Sequence, residues 1–341
     1  MQFSLQRPED DVFLQRTLQL ARLAHSNTSP NPRVGAVVVN AGRIVGEGYH
    51  HAAGQPHAEP MAVGAVLNTE HLKDSTLYVS LEPCNHHGRT PPCTQLILDE
   101  QIPRVVVGCL DPNPRVAGSG LGRLLENGVQ VAVARDPEPF VLLNKGFWMS
   151  QLKQRPWVTL KWAQTANGVM GRSGERLRIT AAPANRLVQR LRAEHRAIMV
   201  GRGTVEADRP RLTTRLHPGP NPLRVVIDSQ LLLDTNQAPF DQPGTTVTVT
   251  QKSDNHYSRP TMQVEDTHNL LEVLRRLLSD YGITSVLVEG GAQLHTSFLA
   301  AGLADEVFIL TGEEAADGDV SAPRLPEHYE LHASYSLGLD K

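Results

Sequence analysis

The sequence predicts an α/β protein of two domains. Three observations carry this. Short apolar strands alternate with amphipathic helical stretches, the alternation restarts after a polar break near residue 150, and 341 residues are too many for one ordinary domain.

Val12 to His25 places Leu14, Leu18, Ala21 and Ala24 three and four residues apart, as one helix face does. Ser29-Pro30-Asn31-Pro32 ends that helix, because proline lacks a backbone donor and restrains its predecessor. Val34 to Val39 reads as a strand, and Asn40-Ala41-Gly42 turns it back into a second, Arg43 to Tyr49. A helix is predicted from His57 to about Leu67, then a strand from Ser75 to Leu81. Cys93 to Glu100 reads as a helix, Val105 to Gly108 as a strand, Gly120 to Asn127 as a helix and Gln130 to Ala134 as a strand. The polar run Gln151 to Pro156 reads as a linker, setting domains of 1–150 and 151–341.

Beyond the linker, strands are predicted at Val158–Trp162, Ala197–Gly201, Leu223–Asp228, Thr245–Thr250, Ser285–Glu289 and Asp305–Leu310. Helices are predicted at Pro183–His195, Asn269–Tyr281 and Ala292–Ala301. The sequence has no internal repeat and no long low-complexity tract.

A net charge of −3 with 20% charged residues marks neither a nucleic-acid nor a membrane binder. No apolar run approaches the ~20 residues of a membrane span. Met1 to Asp11 is acidic and lacks an apolar signal core, and three cysteines suit a reducing compartment, so a cytoplasmic protein is expected.

Chemistry concentrates in His57-Ala58-Glu59, Glu82-Pro83-Cys84 and Gly88-Arg89-Thr90-Pro91-Pro92-Cys93. One imidazole and two thiolates (His57, Cys84, Cys93) form a three-ligand zinc set whose fourth position is left for water, as in catalytic sites. Glu59 is placed to carry protons beside that water, as hydrolytic deamination of an amino heterocycle requires. The pattern keeps the His-x-Glu and Pro-Cys of zinc deaminases but puts eight residues, not two, between the cysteines. Two blander readings stand beside this one: buried structural thiols, or a closed structural zinc site completed by His86 or His87. Cys109, at the end of an apolar run, reads as a core thiol.

In the second half, Glu289-Gly290-Gly291 and Gly201-Arg202-Gly203-Thr204-Val205 follow strands and are candidate phosphate loops or plain connectors. Arg192, Arg202, Arg209, Arg211 and Arg215 form a basic cluster, readable as a solvated surface or as a site for NADP or a phosphorylated substrate.

These residues, with Asn31-Pro32-Arg33-Val34-Gly35, the run Leu81 to Cys93, Asp111-Pro112-Asn113-Pro114 and Asn144-Lys145-Gly146-Phe147, resemble the bifunctional riboflavin-biosynthesis deaminase–reductases over about residues 12 to 310. The resemblance implies a cytidine-deaminase-like α/β/α sandwich followed by a dihydrofolate-reductase-like α/β domain. It implies deamination of 2,5-diamino-6-ribosylamino-4(3H)-pyrimidinone 5′-phosphate, then NADPH-dependent reduction of the ribosyl group to ribityl. Zinc would sit on His57, Cys84 and Cys93, with Glu59 as proton carrier and Asn31, His50, Arg89, Asp111 and Asn113 around the substrate. Thr204, Asp208, Ser229, Gly290 and Gly291 would touch NADP, and Arg192, Leu212, Arg215 and Glu289 the reductase substrate. Copies of the chain are expected to associate through the second domain.

The second half departs from the family in places. Thr165-Ala166-Asn167-Gly168 stands for Ser-Leu-Asp-Gly, Arg176 and Arg178 stand for a Ser and a Trp, Arg209 stands for an Asp, and the family's Pro-Lys-Leu-Leu-Gly-like stretch after Leu310 is missing. These departures predict weak or absent reduction. The alternatives are a deaminase with an inactive or re-purposed second domain, and a catalytically silent nucleotide-binding protein.

Overall fold

Alternate residues of the strand Gly35–Asn40 enter opposite cores, Ala36 and Val38 one and Val37 and Val39 the other. A sheet built from such strands is covered on both faces. The computed structural model describes residues 3–25, 27–86, 91–113, 116–172, 177, 179–253 and 259–337. Tertiary contacts divide the chain into Met1–Gln154 and Arg155–Lys341.

In the first unit the strands are β1 (Ser4–Leu5), β2 (Gly35–Asn40), β3 (Arg43–Tyr49), β4 (Ser75–Val79), β5 (Arg104–Val107) and β6 (Gln130–Val133). The helices are α1 (Asp11–Arg22), α2 (Ala58–Gly64), α3 (Cys93–Asp99), α4 (Ser119–Glu126), α5 (Glu138–Leu143) and α6 (Lys145–Lys153). Among the described residues the sheet order is β1-β6-β5-β4-β2-β3, antiparallel at β4-β2-β3 and parallel elsewhere. Ala62 of α2, Ile97 of α3 and Leu121 of α4 fill the core on one face; Leu18 of α1 and Phe140 of α5 fill that on the other. This is the expected α/β/α sandwich. Gly46 lets α2 lie directly on β3, since a side chain there would meet the Ala62 carbonyl at 2.3 Å.

Gln151 to Lys153, expected in a linker, are the end of α6. That helix is anchored by Phe147 and Trp148 against the α1-side core, so its polar tail stays helical. Helix α2 stops at Gly64, short of the expected Leu67.

The second unit has strands β7 (Trp157–Gln164), β8 (Val169–Gly171), β9 (Ala197–Gly201), β10 (Leu223–Ile227), β11 (Thr246–Thr250), β12 (Thr261–Gln263), β13 (Ser285–Val288), β14 (Glu306–Thr311) and β15 (Val320–Ser321). Its helices are α7 (Ala182–Glu194), α8 (Arg202–Asp208), α9 (Leu270–Tyr281) and α10 (Ala292–Ala300). Among the described residues β12-β11-β10-β9-β13-β7-β14 form one sheet with parallel pairings throughout, and β8 and β15 form a separate antiparallel pair. The chain leaves β9 outward through β10, β11 and β12, then returns to β13 on the other side of β9. The carboxyl ends of β9 and β13 thus flank a point where strand order reverses, the usual ligand crevice of such sheets. Gly201-Arg202-Gly203-Thr204-Val205, a candidate phosphate loop in the sequence, forms the start of α8 with Gly201 as its N-cap.

Candidate active site

His57 caps α2 and Cys93 opens α3, so the sheet brings two helix starts together beside Cys84. His57 Nδ1 lies 3.7 Å from Cys84 Sγ and 3.4 Å from Cys93 Sγ, and the three ligand atoms fall within 4.8 Å of one another. A tetrahedral zinc with bonds of about 2.05 Å to N and 2.3 Å to S has an N···S edge of about 3.5 Å, so the three side chains fit that ion. The Cys93 amide donates to Cys84 Sγ at 3.3 Å. Hydrogen bonds from Cys93 and His57 hold the Cys84 thiol down, to about 4. Cys93 is driven up by its bond to Cys84 and by burial. Two thiols competing for one proton are what a divalent cation relieves, by stabilising both as thiolates.

Glu59 is 3% exposed, and burial together with the Cys84 charge pushes its carboxyl up to about 7. A proton carrier near neutrality suits general acid–base work. A cavity of about 240 Å³ opens onto these groups and is lined by Asn31, His50, Asp111 and Asn113 among others. His50 Nδ1 bonds the Pro56 carbonyl at 2.9 Å, which makes it the donor nitrogen and leaves Nε2 to accept from Asn31 Nδ2 at 3.3 Å. Burial lowers the His50 pKa, so a neutral ring edges onto His57. Burial pushes Asp111 up to about 6, while its Oδ1 accepts from the Asn113 amide at 2.7 Å. Asn144 exchanges two hydrogen bonds with the Arg33 backbone, at 2.8 and 2.9 Å, and so pins the segment that carries Asn31.

The structure therefore gathers every sequence-proposed residue of the first unit except Arg89, which lies outside the described residues with His87. The cavity also takes in Glu82 and Phe147, which stood in the motifs without an assigned role, and His86, a candidate fourth ligand in the closed-site reading. Cys109 is a core thiol as expected, pushed up to about 12 by burial.

In the second unit a second cluster forms. Arg192 of α7 forks onto Glu289 at 2.8 and 2.9 Å and donates to the Thr213 carbonyl at 3.2 Å. Burial alone would raise Glu289, but Arg192 and Lys161 hold it down to about 2. Lys161 Nζ is 3.8 Å from Glu289, and burial lowers its pKa. Lys161 was missed; its signal was a lysine inside the apolar run of β7. Arg215 Nη1 donates to Thr213 Oγ1 at 2.8 Å. Leu212 has φ +53 and a buried side chain packed with Leu191 and Val205. A left-handed leucine costs on the order of 1–3 kcal/mol and marks a constrained bend.

Thr204 Oγ1 would lie at ordinary contact distance, 3.4 Å, from a Cβ on Gly291, so the starts of α8 and α10 lie beside each other. Gly290 instead packs under Leu294, where a Cβ would be 2.7 Å from that side chain. Ser229 Oγ bonds Thr267 Oγ1 at 2.6 Å, and Asp208 is exposed at the end of α8. Glycine-bared helix starts at the carboxyl ends of β9 and β13 fit a dinucleotide phosphate. The five-arginine cluster is not one surface. Arg192 is tied to Glu289, and Arg202 pairs with Glu206 on the exposed face of α8. Asn167, read as a departure, exchanges two bonds at 3.1 Å with the Ala316 backbone, a reciprocal pair that an ionised aspartate could not complete. Arg176 and Arg178 lie outside the described residues.

A three-ligand nitrogen–sulfur centre with a buried carboxylate beside it, on this α/β sandwich, defines a zinc-dependent deaminase joined to a separate α/β unit. The family described as cytidine and deoxycytidylate deaminase zinc-binding region matches residues 7–109, and the RibD C-terminal domain matches residues 156–315. Riboflavin biosynthesis protein RibD of Aquifex aeolicus is 38% identical over 95% of this chain and 94% of its own. That of Escherichia coli is 38% identical over 91% and 89%. The solved structure of Acinetobacter baumannii RibD superposes with a TM-score of 0.87 at 32% identity, covering 97% of each chain. A Thermotoga maritima diaminohydroxyphosphoribosylaminopyrimidine deaminase/5-amino-6-(5-phosphoribosylamino)uracil reductase superposes at 0.85 with 34% identity, over 92% and 89%. The chain belongs to the RibD family of riboflavin biosynthesis proteins. It is a bifunctional deaminase and reductase, and the match over both halves does not favour the deaminase-only alternative. Among the described residues no helix is long and apolar enough to cross a membrane.

Proposed function

We propose that the cavity beside His57, Cys84 and Cys93 hydrolytically deaminates 2,5-diamino-6-ribosylamino-4(3H)-pyrimidinone 5′-phosphate, and that the second unit then reduces the ribosyl group with NADPH. The observation that carries the reading is a buried Glu59, raised to about 7, beside three ligand atoms within 4.8 Å. His57, Cys84 and Cys93 would hold a zinc ion, which would supply Lewis acidity and a water activated near neutral pH. Glu59 takes the water's proton and returns protons to the ring nitrogen and the departing amine, so ammonia leaves and a carbonyl remains. His50, held neutral, fixes the Asn31 amide, whose remaining donor and acceptor orient the pyrimidine.

In the second unit NADPH supplies the hydride. Thr204, Ser229 and Gly291 would hold its phosphates, while Arg192 and Arg215 would take the sugar phosphate and Glu289 with Lys161 the sugar. Asp208 and Gly290, by exposure and by packing, contribute less directly. A cytoplasmic location and association of copies through this unit complete the reading. Among the described residues β14 is an edge strand with only β7 beside it, which supports association there.

Product analysis with and without NADPH tests the whole: ammonia and the ribosyl uracil without it, the ribityl product with it. Ammonia release without any NADPH oxidation would remove the second half of the reading.

A further inference from the structure

We propose that Glu82 is a positioning residue for deamination, coupling the wall that holds the substrate to the metal-binding Cys84; this rests on reading the cavity as the deaminase site. Glu82 is 4% exposed and lines the cavity. Each of its oxygens accepts two backbone amides. Oε2 takes Asp111 N at 3.1 Å and Gly118 N at 2.9 Å; Oε1 takes Gly120 N at 2.9 Å and Leu121 N at 3.3 Å. Those donors bracket the loop that carries Asp111 and Asn113 and continue into the first turn of α4. One carboxylate thus closes both ends of the substrate loop.

The same joint reaches Cys84 from both sides. Glu82 is two residues before it, and Gly120 packs so closely that a Cβ there would be 2.2 Å from the Pro83 carbonyl. On the other side, Asn85 Nδ2 donates to the Ser119 carbonyl at 3.3 Å. The separation between the cysteine and the substrate loop is therefore set by α4 gripping residues 82–85. Glu82 touches no reacting atom in this scheme. An amide in its place keeps one acceptor oxygen and turns a donor toward two amides that already donate, so the loop loses its anchor.

Steady-state ammonia release and hydrogen exchange on the full zinc-loaded chain test this. Glu82→Gln should raise KM about tenfold or more with kcat within about threefold, the signature of lost uniform binding. Zinc content should stay as in wild type, and amide exchange should quicken across residues 111–121. Gly120→Ala keeps the carboxylate but pushes α4 off the Pro83 carbonyl and crowds Glu82 Oε1, which a Cβ would meet at 3.1 Å, and should raise KM in the same way. Asp10→Asn breaks a buried carboxylate cluster elsewhere in the unit and should lower Tm while leaving KM unchanged. Wild-type KM in both joint variants would overturn the role, as would an equal KM rise in Asp10→Asn. Wild-type protein that releases no ammonia would instead overturn the deaminase reading, and this role with it.

Discussion

Thr94 Oγ1 donates to Asn85 Oδ1 at 3.0 Å, so the residue after Cys93 is bonded to the residue after Cys84. Arg123 of α4 closes the arrangement, donating to Asn85 Oδ1 at 3.0 Å and to Gln95 Oε1. The eight residues between the cysteines therefore do not loosen the centre. Their ends are tied by side chains, much as a short turn ties closely spaced ligands.

Zinc should be present in the purified chain and should be lost in Cys84→Ala and Cys93→Ala. Thr94→Val should hold it more weakly, by about 10–100-fold, the usual effect of removing an outer partner. Elemental analysis and the rate of zinc transfer to a chelator measure both. Unchanged zinc in the cysteine variants would place the ion elsewhere.

Glu59→Gln should abolish ammonia release while keeping zinc and Tm. General acid–base catalysis is worth about 10²–10⁴-fold, and one group serving several steps makes the loss larger. Near wild-type turnover would deny Glu59 its role.

Asp10 accepts from Tyr78 Oη at 2.7 Å and from both terminal nitrogens of Arg104, at 2.8 and 2.7 Å. Burial pushes its pKa up, but these bonds outweigh burial and the net shift is downward. A lowered folded value stabilises above the unfolded pKa of about 3.9 and is lost as pH falls through the folded one. Asp10→Asn should cost roughly 3 kcal/mol at neutral pH, as breaking a buried pair does. Melting temperatures of variant and wild type should converge only below about pH 4. A constant difference down to the lowest pH would show that the charge is not the cause.

Lys161→Met should reduce NADPH oxidation by roughly 10²-fold, the scale of removing one positioned proton donor or charge from a buried site. Deamination should be unaffected. Glu289 keeps its fork with Arg192, so the fold should survive. Normal reduction would make the Lys161–Glu289 contact purely structural. Robust NADPH turnover by the wild type is expected here, against the weaker reduction that the departures at Asn167, Arg176 and Arg178 suggested. The Asn167–Ala316 pairing shows why a single replaced side chain can be a local repair.

The strand and helix order of the long elements was legible in the sequence alone, as was the grouping of His57, Cys84 and Cys93 with Glu59. Strands such as Val34 to Val39 are written in apolar runs, and metal chemistry demands particular residue types in a particular order. It did not reveal α8, whose Gly203 weakens the helical pattern, or β8, β12 and β15, which are too short to show a period. It also left Glu82 and Lys161 without roles. Their partners are far away in sequence: Glu82 meets amides 29 to 39 residues on, and Lys161 meets Glu289 across the sheet. Only the tertiary structure brought those partners to them, because a buried charge is defined by the donors and ions that folding brings to it rather than by its neighbours along the chain.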